Sequence, residues 1–153
     1  MIKECGLYII RDNYFSEFNT SGKMMSNKYE RRPYYCGITM KNGIVWMIPI
    51  SSQVKKYAAS IKDDEEKRGE CIFCYIARLK DRDSAFLIGD AIPCTEKYIK
   101  KAFTVSGKPF VIEDKEDIKE IRRKLSRFIS LVRLGKLHPY VDILSIEKKL
   151  SIK

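Results

Sequence analysis

Two β-prone segments joined by an Asn-Gly turn constrain the fold of this 153-residue chain more than any other feature. Residues 34–40 and 44–50 are rich in β-branched and aromatic side chains, and Asn42-Gly43 lies between them. Both turn residues tolerate a positive φ, which a tight hairpin turn requires. The pattern therefore predicts an antiparallel hairpin whose second strand ends near Pro49, where a missing amide hydrogen costs least.

Directly after this hairpin, two hydroxyl residues precede a helix-forming run. Ser51-Ser52 stand before a segment that begins with Gln53, Val54 and Lys55-Lys56. A hydroxyl residue before such a run is an N-cap signal, so we expect a helix from Ser52 to about Arg68. Amide hydrogens at a helix N-terminus, together with hydroxyls and cations, favour a phosphate group. The same pattern also fits a plain helix cap with solvent-exposed lysines.

The order of the remaining segments predicts an α+β fold. The apolar residues of 114–134 recur every three or four positions, which indicates a long amphipathic helix. We expect a small, strongly bent antiparallel β-sheet or barrel with surrounding helices and this long C-terminal helix. No linker or repeat divides the chain, so 1–153 is predicted to form a single domain. Further candidates are strands at 7–10, 71–79 and 84–88, short helices or turns at 14–18 and 95–101, a turn at 106–109, and a helix in the tail after 139.

Residues 19–32 show no helical or strand period and contain Ser, Gly and Asn. Loops of this length are uncommon in compact domains unless they serve a function. We therefore expect this segment to contribute to a binding or catalytic site.

The charge balance favours a polyanionic partner. Thirty Lys and Arg residues against twenty Asp and Glu residues give a net charge of +10. A surplus of this size attracts nucleic acid, although a merely basic soluble surface is the simpler interpretation. No apolar run approaches the roughly 20 residues that span a bilayer. We therefore expect a cytoplasmic location and no membrane role. The odd number of cysteines, five, fits reduced thiols better than a disulfide framework.

No metal or cofactor site is expected. Cys71-x-x-Cys74 is half of a zinc-binding pattern, but the chain has no second such pair and one histidine, His138. That histidine could act as a general base or be a surface group. The acidic run 63–66 is typical of a solvated helix end, and both Gly-rich phosphate loops are absent.

Aromatic residues alternate with basic residues in three places, which is typical of single-stranded RNA binding. Trp46 and Tyr35, inside strands, are predicted to be core residues instead. The residues that we expect to contact RNA are Arg31, Lys56, Tyr57, Tyr98, Lys100, Lys101 and Lys108.

A site of serines and a lysine can cleave RNA without a metal ion if the neighbouring 2′-hydroxyl attacks the phosphate. The protein must then orient the phosphate and stabilise charge on its oxygens. Ser51, Ser52 and Lys55 can meet both needs. A non-catalytic RNA-binding module is the alternative from a different class. A DNA-binding regulator ranks third, because the helix at 114–134 is basic only in patches.

Several short motifs resemble one toxin family. The run Arg32-Pro33-Tyr34-Tyr35-Cys36-Gly37-Ile38 leads to Ile48-Pro49-Ile50-Ser51-Ser52, then Lys55, then Leu87-Ile88-Gly89-Asp90-Ala91-Ile92-Pro93. This order resembles the toxins of type III toxin–antitoxin systems, the ToxN/AbiQ/CptN group. The stretches 46–49 and 104–108 are most similar to the CptN branch. The resemblance runs from the first strand through the long helix.

The resemblance implies a sheet core similar to the MazF/Kid class of ribonucleases and a metal-independent endoribonuclease. Its products would carry 2′,3′-cyclic phosphate and 5′-hydroxyl ends. It also implies an RNA pseudoknot antitoxin, encoded in repeats and cut by the toxin, which closes with the toxin into a ring. Cellular mRNA would be the other substrate, in a phage-defence role.

The resemblance also assigns five catalytic residues. Ser51 and Ser52 match the family's hydroxyl pair, and Ser52 is the better candidate for the nucleophile side. Lys55 matches the lysine that follows the pair, and Tyr29 matches an active-site tyrosine. The family's next basic position falls at Pro33, so Arg32 is expected to substitute for it.

Overall fold

The computed structural model describes residues 2–152 as a mixed α/β fold with an antiparallel sheet. Its helices are α1 (Asp12–Phe18), α2 (Val54–Arg68), α3 (Lys115–Arg133) and α4 (Ile143–Ile152). Its strands are β1 (Leu7–Ile10), β2 (Pro33–Thr39), β3 (Val45–Ser51), β4 (Tyr75–Leu79), β5 (Arg82–Phe86), β6 (Ile92–Cys94), β7 (Ile99–Ala102), β8 (Thr104–Val105) and β9 (Lys108–Pro109). Single 3₁₀ turns cover Ile88–Asp90 and Glu96–Tyr98.

The predicted central hairpin is confirmed as β2 and β3. Tyr34 lies opposite Pro49 and Cys36 opposite Met47 in an antiparallel register. Gly43 adopts a φ of 88°, and the Met40 amide donates to the Ile44 carbonyl at 2.8 Å. Gly43 therefore adopts the positive φ that the sequence predicts for this hairpin turn.

Within residues 2–152 the main sheet has seven strands, and the predicted combination of helices with an antiparallel sheet is confirmed. Its order is β4-β5-β3-β2-β1-β7, with β6 also paired to β3. In the described chain β4 and β7 are the two ends of this path, so the sheet is open and not a closed barrel. Register shifts at Cys36/Ile38 and Ile9/Ile10 mark bulges, which bend antiparallel sheets.

Helices cover both faces of the sheet, which is why every residue of β3 is buried. Tyr35, Trp46 and Ile48 pack on the side of α3. Tyr34 and Met47 pack on the opposite side, with α1 and α4. The alternation follows from the period of two along a strand, and it confirms Trp46 and Tyr35 as core residues.

The long helix is confirmed as α3, and its start follows the expected capping chemistry. The Asp114 side chain accepts a hydrogen bond from the Asp117 amide at 2.9 Å. Ile121, Leu125 and Phe128 on its apolar stripe are buried. The tail helix is confirmed as α4, and Glu147 on α4 forms a two-point ion pair with the Arg133 guanidinium.

Several boundaries differ from the sequence expectation, among them that of the strand expected at 84–88, which spans Arg82–Phe86. Residues 71–74 precede the strand that begins at Tyr75, because Cys71 and Cys74 are buried in a non-strand segment against β5. The segment 95–101 is a 3₁₀ turn followed by β7 rather than one helix. Helix α2 begins at Val54 rather than Ser52. All five cysteines are free thiols, as predicted, and none of the helices in residues 2–152 is long and apolar enough to cross a bilayer.

Candidate nucleic-acid interface

The two serines at the end of β3 have different environments. Ser51 is 7% exposed, pairs with Ala85 of β5, and its Oγ accepts a hydrogen bond from the Gln53 amide at 3.1 Å. Ser52 is exposed. The expected N-cap is wrong, because Gln53 occupies that position and makes no side-chain cap hydrogen bond. Ser51 therefore holds the junction, and Ser52 faces solvent.

The first turn of α2 is charged against its own helix dipole. It has no acidic residue, and Lys55 and Lys56 are both exposed there. A helix N-terminus carries a partial positive charge, so cations at this end are unfavourable. The Val54 amide donates to the Ser52 carbonyl at 2.9 Å, and without a side-chain cap the next amides of this turn are left for an external acceptor. Both features favour a bound anion such as phosphate.

Arg32 joins the long loop to the end of β3. Its side chain is 5% exposed. Nε donates to the Ser26 carbonyl at 2.6 Å, and Nη1 donates to the Ile50 carbonyl at 2.8 Å. Because Ile50 directly precedes Ser51, this guanidinium fixes the loop against the junction. Arg32 is thus mainly a positioning residue, although it also lines the neighbouring cavity.

Within this loop, three consecutive residues adopt the left-handed conformation. Lys28, Tyr29 and Glu30 have φ values of 51°, 58° and 63°. This conformation costs an L-residue about 1–2 kcal/mol, and such strain persists only where surrounding contacts enforce it. The turn leaves the Tyr29 side chain 90% exposed. We interpret it as a device that displays Tyr29.

Asn27 and Glu30 supply the contacts that hold this turn. Asn27 Nδ2 donates to the Ile10 carbonyl at 2.8 Å, and the main-chain carbonyl of Asn27 accepts from the amides of Arg31 and Arg32. Glu30 accepts from the Asp12 amide at 2.7 Å and pairs with Lys100 at 2.7 Å. The hydrogen bond from Lys100 is the main cause that lowers the pKa of Glu30.

A cavity of about 350 Å³ lies next to Ser52, and we call it the cationic cavity. Its volume is within the usual range for ligand pockets, which begins near 300 Å³. One part of its wall is apolar and includes Leu79, Phe103 and Phe110. The polar and charged part consists of Ser52 and Ser84 with Lys28, Arg31, Arg32, Lys80, Asp81 and Arg82. Cations beside an apolar wall suit a phosphate with its attached base or sugar.

The structure brings some of the predicted residues to this cavity and not others. Ser52, Arg31 and Arg32 line it, and Ser51 lies buried beside it. Lys55 and Lys56 stand at the start of α2, with the Lys56 ammonium 5.3 Å from the Tyr57 ring centre. The other predicted residues lie elsewhere. Tyr29 lines a shallow depression that has Lys28 in common with the cationic cavity, and Tyr57 lines a second, separate cavity. Lys100 is paired with Glu30, and Lys101 and Lys108 are exposed on β7 and β9.

The prediction that Tyr98 contacts RNA is wrong. Tyr98 is fully buried, and its ring packs against Tyr14 and Phe18 at centroid distances of 5.4 and 5.7 Å. Its hydroxyl donates to Glu17 at 2.9 Å. The ring therefore belongs to the core between the sheet and α1 and is not available for base stacking.

Sequence reasoning missed Lys28, Lys80 and Arg82 as site residues. Lys80 and Arg82 flank the β4–β5 turn, and β5 pairs with β3 at Ser51↔Ala85. This pairing brings the basic turn to the serines. The sequence does contain a basic turn between two β-prone segments, but the pairing partner of β5 is not encoded locally.

The alternative chemistries gain no support from the geometry. Among the described residues, no group of three or more His, Cys, Asp or Glu side chains could hold a metal ion. Burial raises the pKa of Cys74 to about 12, which keeps that thiol protonated at neutral pH. His138 is exposed and lines the second cavity rather than the serine junction.

We expect Arg32→Met to lower the free energy of unfolding by about 3 kcal/mol, because two backbone carbonyls lose charge-assisted donors and each costs about 1–3 kcal/mol. Urea unfolding followed by circular dichroism measures this. Arg31→Met, a change at the exposed neighbouring arginine, is the matched control and should stay within about 0.5 kcal/mol of the parent. Equal effects of the two changes would contradict the positioning role.

Lys55→Glu should stabilise the RNA-free protein by about 0.3–1 kcal/mol, because it places the favoured charge at a helix N-terminus. The same variant should lose affinity for RNA. Lys62→Glu, in the middle of α2 beside Glu65 and Glu66, should not stabilise, because like charges at this spacing repel. A less stable Lys55→Glu protein in thermal unfolding would show that this lysine is structural.

No protein-family model and no curated protein matches this sequence. Among the solved structures that share its fold are two from bacterial systems controlled by RNA. One comes from a bacterial antiviral system that a processed non-coding RNA regulates. Its TM-score is 0.66 at 14% sequence identity, and the alignment covers 94% of this chain and 96% of the other chain. The other comes from a bacterial type III toxin–antitoxin system, in which a non-coding RNA pseudoknot inhibits the toxin. Its TM-score is 0.58 at 18% sequence identity, and the alignment covers 82% of this chain and 77% of the other chain. At these identities the likeness establishes the fold, and the expected resemblance to toxins of type III toxin–antitoxin systems is confirmed at the level of the fold.

Proposed function

We propose that this protein is a metal-independent endoribonuclease toxin, carried by a single domain over residues 1–153. The observation that carries the proposal is the strand-to-helix junction, where exposed Ser52 adjoins both the uncapped, lysine-bearing start of α2 and the cationic cavity. On this proposal the open antiparallel sheet is a variant of the MazF/Kid ribonuclease fold.

The chemistry assigns different tasks to the predicted residues. Ser52, Lys55 and the amides of the first turn of α2 hold the scissile phosphate and stabilise charge on its oxygens. The RNA supplies the nucleophile, its own 2′-hydroxyl, so the products carry 2′,3′-cyclic phosphate and 5′-hydroxyl ends. Tyr29, displayed by the left-handed turn, completes the pocket. Ser51 and Arg32 keep the junction in position through their buried hydrogen bonds.

The inhibitor is a structured RNA, which we infer from two independent features. The two solved structures of similar fold described above come from systems controlled by non-coding RNA. This chain carries a net charge of +10 and presents exposed lysines at positions 55, 56, 101 and 108. We propose that a pseudoknot antitoxin binds across this surface, closes with the protein into a ring and blocks the junction. Cellular mRNA is the target once the antitoxin is lost, which serves phage defence.

One observation favours the alternative of a non-catalytic RNA-binding module. The described lining of the cationic cavity contains no histidine, and Asp81 is its one carboxylate. A general acid or base at neutral pH most often comes from such groups. Binding without cleavage would need only the cations and the apolar wall.

Incubation of the purified, RNA-stripped protein with mixed RNA in excess EDTA separates the two functions. We expect discrete fragments whose 3′ ends are cyclic phosphates and whose 5′ ends are hydroxyls, since no metal takes part in the reaction. A Lys55→Ala variant should lose this cleavage, because the phosphoryl charge is then less stabilised. Intact RNA that is bound tightly and released by salt would instead establish the binding module.

A further inference from the structure

A second cavity, of about 540 Å³, borders the same long loop as the cationic cavity. Lys23, Met24 and Met25 of this loop line the second cavity, and Lys28, Arg31 and Arg32 line the first. The two are linked by charge, because Arg32 acts electrostatically on Asp90 in the second cavity. The two cavities therefore border different parts of the same loop.

The second cavity has an aromatic character from its depth to its mouth. Phe128 is 2% exposed and Phe73 is half-buried. Tyr57 lines it from α2, and Tyr140 is 90% exposed in the segment before α4. A large aromatic side chain that is left in solvent beside a cavity is suited to stacking on an unpaired base.

Asp90 gives this cavity a free acceptor. Asp64, the other aspartate of its wall, is already paired with Arg68 at 2.5 Å. The Asp90 carboxylate accepts no hydrogen bond and forms no ion pair within residues 2–152. The main chain of Asp90 is fixed by the 3₁₀ turn and by the neighbouring Gly89, whose amide donates to the Phe73 carbonyl at 2.9 Å. Desolvation in the cavity raises the pKa of Asp90, and the positive charge of Arg32 opposes that shift. Asp90 is exposed where it lines the cavity, so water solvates its carboxylate and the donor of a ligand would replace that water.

We propose that the second cavity is a subsite for an unpaired RNA base that carries an exocyclic amino group. Asp90 accepts a hydrogen bond from the amino group, as carboxylates do from the N4 amino group of cytosine. Tyr140 stacks on the base, and Lys23 lies at the wall where the adjoining phosphate passes. The inference rests on the proposed function, since it assumes that RNA occupies the neighbouring junction.

The comparison of cytosine with uracil tests this subsite most cleanly. Both are pyrimidines and stack similarly, but uracil has a carbonyl where cytosine has the amino donor. We would measure the affinity of the full-length protein for 2′-O-methyl hexamers of cytidine and of uridine, which cannot be cleaved by 2′-hydroxyl attack. The cytidine hexamer should bind about tenfold more tightly, the size of one charge-assisted hydrogen bond.

Asp90→Ala should reduce this ratio to within about twofold, because the acceptor is removed. Two matched controls remove the same charge elsewhere: Asp63→Ala on the exposed face of α2, and Asp81→Ala in the cationic cavity. Both should retain the preference for cytidine. Tyr140→Ala should weaken both hexamers by a similar factor, about fivefold or more, and Tyr140→Phe should restore them.

Equal binding of the two hexamers by the parent protein, or no binding of either, would overturn the proposal. So would a preference that survives Asp90→Ala or that disappears in Asp81→Ala. Failure of this subsite is distinct from failure of the proposed function. Cleavage in EDTA without a base preference would remove the subsite alone, and a preference without cleavage would remove the catalytic proposal alone.

Discussion

The guanidinium of Arg32 is the contact on which the geometry of the site depends. It donates to one carbonyl of the long loop, at Ser26, and to one carbonyl of β3, at Ile50. Separation of the loop from the serine junction consequently breaks the hydrogen bond from the charged guanidinium to Ile50, and such bonds are worth about 1.5–3 kcal/mol each. The left-handed turn at 28–30 then starts from a fixed base, which is how a strained backbone can present Tyr29 to solvent.

Charge placement at this junction works against stability and for binding. Lysines occupy the positive end of α2, whereas the corresponding end of α3 carries Asp114, Glu116 and Asp117, as the dipole favours. The first turn of α3 therefore has the charges that the helix dipole favours, whereas the first turn of α2, beside Ser52, has the opposite charges. Local departures from folding rules are expected at functional sites, because there the ligand supplies the missing interaction.

Local sequence patterns were sufficient for the parts of the fold that depend on neighbouring residues. The Asn42-Gly43 turn, the apolar stripe of α3 and the irregular segment 19–32 all follow from their own residues. One failure was local, because the cap of α2 is Gln53 rather than Ser52. The failures that misplaced or missed site residues concern partners that are distant in the chain. Tyr98 looked like a surface aromatic until α1 covered it, and Arg82 gained its place from the pairing of β5 with β3. Whether Arg32 faces solvent or a carbonyl 18 residues away is likewise decided by tertiary packing.

The most direct test of the account is the single-turnover cleavage rate of a folded Ser52→Ala protein, measured in EDTA together with its affinity for the same RNA. Removal of the exposed hydroxyl should lower the rate by about 100-fold or more, the usual effect of losing one group that stabilises transition-state charge. Affinity should change by less than about threefold, since the lysines and arginines that we propose to contact phosphates remain. Ser52→Thr, which keeps a hydroxyl, is the matched control and should retain most of the rate. A Ser52→Ala protein that cleaves at the parental rate would contradict the assignment of the strand-to-helix junction as the catalytic site.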